Sequence, residues 1–184
     1  MTVLKSVIAT LVVLALAGVA FVYSGLFNVS TAHPDSPLLG WARGNTMMRS
    51  VQSRAQGIVP PANFGSGTVN QALVAEGAQL YDAACKYCHG APGADGSDAA
   101  MGMMPEPPYY DHLGAGWTPS QLFWIVKNGV RMTAMPGWGK TRQDPQIWAI
   151  VAFVQEIGRT SAEEYQRMVA PPAAPVEGVA PSAN

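Results

Sequence analysis

Cys85-Lys86-Tyr87-Cys88-His89 is the most informative run of residues in the chain. Its two thiols lie three residues apart, so one helical turn puts both on the same side. An imidazole follows directly on the second thiol. The pattern C-x-x-C-H is the attachment signature of a c-type haem. Cys85 and Cys88 can add to the two vinyl groups of one porphyrin, and His89 can reach the iron from the same side, His being a common proximal ligand. Other uses of a C-x-x-C pair fit less well. A zinc site takes about four N or S ligands, whereas the chain has no further Cys, and its other His residues are His33 and His112. A thioredoxin-like pair belongs in a βαβ pattern, and no strand–helix–strand alternation is visible. A Cys85–Cys88 disulfide would close too short a loop to stabilise much.

Outside this motif, composition sets the frame. Of 184 residues, 48% are hydrophobic and only 12% are charged. A soluble domain usually carries about a quarter charged residues. The shortfall sits at the ends, in an apolar N-terminus and a Pro- and Ala-rich C-terminus. What remains suits one small domain with an N-terminal extension. The formal net charge of −1 argues against a nucleic-acid partner, which favours a strongly basic domain.

From Ser6 to Val29 there is no charged side chain. Roughly 20 apolar residues span a bilayer core as a helix, and this run meets that length. Ala15-Leu16-Ala17 resembles a signal-peptidase site, but the apolar run continues through Val19, Phe21, Val22, Leu26 and Phe27. A signal h-region covers only about 7–15 residues, so a retained anchor is expected over residues 1–30. Lys5 on the N-terminal flank places that end in the cytoplasm. The chain would then be a single-pass protein of a bacterial inner membrane, with the rest on the periplasmic side.

Residues 31–68 are expected to form an amphipathic helix and a linker. Pro34 and Pro37 suit an extended exit from the membrane. Leu38, Trp41, Met48, Val51, Ala55 and Ile58 then recur at helical spacing and are expected on one face. Arg43, Arg49 and Arg54 are the only charges between Leu38 and Ile58. Such a helix suits lipid headgroups or a partner subunit, or equally the flank of the domain that follows. Val59-Pro60-Pro61 ends it.

The main domain is expected over residues 69–160. Residues 69–85 read as a helix, with Val69, Leu73, Gly77, Leu80 and Tyr81 on one face. Gly within a helix costs about 1 kcal/mol relative to Ala. The implied compensation is close approach of another helix at Gly77. The candidate is residues 146–157, with Ile147, Ile150, Val151 and Val154 as an apolar stripe flanked by Trp148 and Phe153. Asp144-Pro145 marks its start and Gly158 its end. Residues 90–117 read as a long irregular loop, a length that needs an organiser such as a buried porphyrin. Pro119 to Asn128 reads as a short helix, with Thr118 as N-cap and Gly129 as stop. No run alternates as a strand would. The tail, residues 161–184, is expected to be largely disordered.

The far side of the iron needs a second ligand. Met135 lies in Met132-Thr133-Ala134-Met135-Pro136-Gly137-Trp138-Gly139, where Pro and Gly hold and turn the backbone. It is the expected sixth ligand, with Met132 and His112 as competitors. Met101, Met103 and Met104 read as apolar filler. Thioether ligation raises the haem potential and leaves no open site, which favours electron transfer. An open or labile sixth site would suit a small haem peroxidase or a ligand sensor instead. Lys86, Lys127, Arg131, Lys140 and Arg142 cluster in sequence near the motif and the Met loop, as a docking rim or as an ordinary solvated surface.

Taken in order, a helix, Cys-Lys-Tyr-Cys-His, a long loop, a short helix, Met-Pro-Gly-Trp-Gly and a last helix resemble a class I monohaem cytochrome c over residues 69–158. The resemblance implies an all-α fold wrapped around one covalent haem c, here preceded by a transmembrane helix and an amphipathic helix. It implies Cys85, Cys88, His89 and Met135 as the haem-binding residues, the last two on the iron. Gly77 and Tyr81 match the family's small–aromatic pair, and Phe153 the aromatic residue packed against it. A Pro carbonyl, from Pro107 or Pro108, is implied as acceptor for the His89 Nδ1–H. The N-terminal segment resembles that of membrane-tethered bacterial cytochromes of respiratory chains. The expected function is single-electron transfer between a redox-protein donor and acceptor, alone or within an oxidase or dehydrogenase complex, with no bond chemistry of its own.

Overall fold

The computed structural model describes residues 2–64 and 71–170. Compactness divides the chain after Ser36, into residues 1–36 and 37–184. Residues from Pro37 onward, which include the amphipathic segment, group with the residues that follow.

The first unit holds α1 (Thr2–Tyr23), with mean hydropathy 2.4 and no buried residue. Its 22 residues rise about 33 Å, enough to cross a hydrocarbon core. The Ser6 and Thr10 hydroxyls donate to the Thr2 and Ser6 carbonyls at 3.1 and 3.0 Å. Polar side chains satisfied within their own helix suit an environment without water.

In the second unit the regular elements among the described residues are helices. The unit holds α2 (Pro37–Arg54), α3 (Gln71–Ala84), α4 (Lys86–His89), α5 (Asp98–Met101), α6 (Pro119–Asn128), α7 (Asp144–Glu156) and α8 (Ala162–Val169). Among the described residues there is no strand, only an isolated bridge between Ala91 and Ala94. The 90–117 loop is less irregular than its composition implied, since α5 and a 3-10 turn at Tyr110–His112 interrupt it.

Helix α7 is the centre. All eight residues from Ile147 to Val154 are buried, because α3 and α6 cover different sides of it. A helix that is apolar all round belongs in a core. Gly77 explains how α3 approaches so closely. A Cβ there would lie 2.0 Å from the Ala149 carbonyl oxygen and 2.9 Å from the Phe153 Cβ. The backbone oxygen cannot yield, so only Gly fits. One turn on, the Tyr81 ring meets Phe153 edge-on with centroids 5.3 Å apart. These are the contacts the resemblance implied. Val69, expected at the start of α3, lies outside the described residues.

The ends of α6 follow their chemistry. Thr118 Oγ1 accepts from the Gln121 N–H, and the Gln121 side chain accepts from the Thr118 N–H, a reciprocal capping box. Gly129 closes the helix at φ 70°.

Two expectations need correction. The apolar positions of α2 do not share one environment. Val51 and Ala55 are buried, whereas Leu38, Trp41 and Met48 stay exposed. The helix packs on α6, and the Ser120 hydroxyl donates to the Ile58 carbonyl at 2.7 Å. At 100° per residue, spacings of three, four and seven drift around the helix, and the stripe splits. The tail does not begin at 161 either, because α8 stands there. Ser161 and Glu164 form a second reciprocal capping box, and Tyr165 is fully buried against Phe153, with ring centroids 5.9 Å apart. Residues 171–184 lie outside the described residues. Phe64, in a stretch read as linker, is buried edge-on against Trp148 at 5.2 Å.

Candidate haem site

Helix α3 runs almost directly into the motif. The Cys85 N–H donates to the Tyr81 carbonyl at 2.7 Å, and the Cys88 and His89 N–H groups donate to the Cys85 carbonyl at 3.1 and 3.0 Å. One turn therefore carries both thiols and the imidazole. The two sulfurs are not joined in a disulfide. The turn is held at its exit, where the Tyr81 hydroxyl donates to the Gly90 carbonyl at 2.7 Å. The following loop folds back on it, with the Ser97 N–H donating to the Tyr87 carbonyl at 2.9 Å.

His89 Nδ1 lies 2.8 Å from the Pro108 carbonyl oxygen. Of the two prolines left open by the sequence, Pro108 is the partner. A carbonyl only accepts, so the ring donates from Nδ1–H and keeps the Nε2 lone pair free. That is the tautomer a metal ligand needs, oriented by its outer hydrogen bond. Burial lowers the His89 pKa, and the Pro108 bond partly opposes this. The ring is thus held neutral.

Burial pushes the Cys85 thiol up to about 12, the Arg142 charge drawing it partly back. A site that disfavours a thiolate suits an uncharged thioether better than a thiolate metal ligand. Among the described residues, no three His, Cys, Asp or Glu side chains converge as a metal-binding group.

The Met loop is built on α6. A Cβ on Gly129 would lie 2.6 Å from the Gly137 nitrogen, and one on Gly137 2.7 Å from the Asn128 oxygen. Two glycines thus let the backbone pack against itself. Thr133 Oγ1 donates to the Val130 carbonyl at 2.6 Å and accepts from the Met135 N–H at 3.1 Å. The Val130 N–H closes the loop on the Met135 carbonyl at 3.3 Å. Met135 is half-buried and, like Cys85, borders the central core. Its competitors are placed differently. Met132 has φ 60° and is 76% exposed, and His112 is an exposed side chain 3.7 Å from Asp111.

Arg142 is a feature that sequence reading assigned only to a surface rim. Its guanidinium lies 5.4 Å from the Trp138 ring centre, a cation–π contact. Its Nε is buried and has no hydrogen-bond partner among the described residues. A buried donor without an acceptor is costly, so a group bringing acceptor oxygens fits here, as a haem propionate would. The rest of that rim is partly neutralised. Lys127 pairs with Asp144 at 2.7 Å, and Lys86 pairs with Asp82.

The residues present therefore fit a covalently held haem. They offer two thiols and an imidazole on one turn, a half-buried thioether on a braced loop, and a half-buried arginine whose Nε is enclosed. Residues 72–154 match the family model of cytochrome c oxidase, cbb3-type, subunit III. No curated protein and no solved structure matches the chain. The family match and the helical fold together make this region a monohaem c-type cytochrome domain with covalently bound haem c.

Proposed function

We propose that Cys85 and Cys88 would hold the haem covalently through thioethers, and that His89 Nε2 and Met135 Sδ would be the protein's ligands to its iron. A c-type cytochrome domain is an electron carrier, and when bound the haem supplies its one-electron couple. The chain's own residues hold and bias that couple. Pro108 orients His89, Thr133 and the Gly129–Gly137 contact brace Met135, and Arg142 adds a positive charge. The observation that carries the assignment is the bond from His89 Nδ1–H to the Pro108 carbonyl, because it leaves Nε2 as the only ligating nitrogen.

The finer reading is a membrane-tethered relay. Helix α1 anchors it in the bacterial inner membrane, with the haem domain on the periplasmic side. It passes single electrons between respiratory partners as a subunit of an oxidase complex, without bond chemistry of its own. Support comes from the apolar length of α1 and from the oxidase-subunit family match.

A ferric spectrum tests the ligand set. The expected result is a low-spin six-coordinate haem with the weak far-red sulfur-to-iron band. Met135→His should abolish that band, and Met132→Leu should leave it intact. A high-spin native spectrum would overturn the carrier assignment in favour of a peroxidase or sensor. Survival of the band in Met135→His would move the ligand to Met132.

A further inference from the structure

We propose that the outward face of α2 lies on the membrane surface itself, with Leu38, Trp41 and Met48 among anionic lipid headgroups. This inference rests on the reading of α1 as a retained anchor. The three side chains are 74%, 65% and 47% exposed. At 100° per residue they fall within a sector of about 80° on the helix. Val51, 1% exposed, points to the side that packs on α6. The domain thus covers one side of α2 and leaves on the other an exposed face in which Leu38, Trp41 and Met48 are interspersed with Asn45 and Gln52. A single exposed apolar residue needs no explanation, but a Trp grouped with two more on one face does.

Charge and tether together select lipid as the occupant. Between Ser36 and Glu76 every charged residue is an arginine: Arg43, Arg49 and Arg54. Arg49 and Arg54 are exposed. Trp with Arg is the pairing enriched where a helix lies in a headgroup layer. Only residues 24–36 separate α1 from α2, and such a segment reaches about 50 Å at most. The face is therefore held near the bilayer at high effective concentration, and weak interfacial affinity suffices to seat it. Seating would hold the domain in one orientation to the membrane.

The test uses the full haem-loaded chain in vesicles of phosphatidylcholine, with and without phosphatidylglycerol. Nitroxide labels are attached to Trp41→Cys and Met48→Cys, with Thr46→Cys as an exposed control nearly opposite Met48. The readout is label accessibility to oxygen against a water-soluble nickel chelate. A several-fold higher oxygen-to-nickel ratio at 41 and 48 than at 46, stronger with phosphatidylglycerol, is expected. A low ratio at 41 and 48, in chains that resist carbonate extraction, would overturn the proposal and leave the anchor standing. Labels shielded from both reagents would overturn it in favour of contact between copies. Release of the chain by carbonate would instead refute the anchor reading. An unchanged haem spectrum in each labelled variant confirms that the domain has folded.

Discussion

Arg142 shows how one residue acquires a role from its neighbours. The Trp138 ring holds its guanidinium, and its charge is felt at Cys85. A fixed positive charge beside the haem favours the reduced state, which carries one positive charge fewer. A unit charge within about 10 Å, at an effective dielectric near 20, acts with on the order of 1–2 kcal/mol. Arg142→Gln should therefore lower the midpoint potential by on the order of 50 mV, a tenfold change in a one-electron equilibrium being about 59 mV. Spectroelectrochemical titration reads this directly. Arg142→Lys should keep most of the native value. An unchanged potential in Arg142→Gln would show that the guanidinium serves packing alone.

Among the elements, α8 ties the C-terminal end of the domain to the helix that leads into the haem motif. The Tyr165 hydroxyl donates to Asp82 Oδ1 at 2.7 Å, and Lys86 pairs with the same carboxylate. Burial raises the Asp82 carboxyl, but the hydrogen bonds from Lys86 and Tyr165 outweigh it and hold the pKa below its ordinary 3.8. A carboxyl depressed in the folded state stabilises above its unfolded pKa and loses that contribution as pH falls through the folded value. Docking of α8 should therefore be constant from neutral pH down to about 4 and loosen below it. Amide hydrogen exchange in Ala162–Val169 measures this. Asp82→Asn should weaken docking at neutral pH and remove the acid response. An acid response that persists in Asp82→Asn would assign it to another group.

For the whole molecule, the two units have separable tasks. Residues 1–36 hold a helix suited to lipid, and the compact remainder begins at Pro37. The full chain is expected to stay in the membrane fraction after alkaline carbonate washing. A variant in which a cleavable secretory signal replaces residues 1–36 should be released in soluble form with its haem spectrum intact. If the full chain is released by carbonate, α1 is not an integral anchor.

Features set by local chemistry are legible in the residues alone. Cys85, Cys88 and His89 are adjacent, so their convergence needs only one helical turn. Gly77 announces a close helix crossing because its backbone cost must be offset, and Thr118, Gly129 and Pro145 mark helix ends through local hydrogen bonding and fixed dihedrals. Even α8 was legible in the Ser161–Glu164 capping box, which the Pro- and Ala-rich tail obscured. Packing settles what depends on distant partners. It chose Pro108 over Pro107, because a one-residue register is set by where the loop crosses His89. It buried Phe64 against Trp148 and split the apolar stripe of α2, because burial depends on which neighbour covers each side. It also placed Arg142 over Trp138 with its Nε enclosed. A side chain's charge is legible in sequence, but its desolvation is a property of everything folded around it.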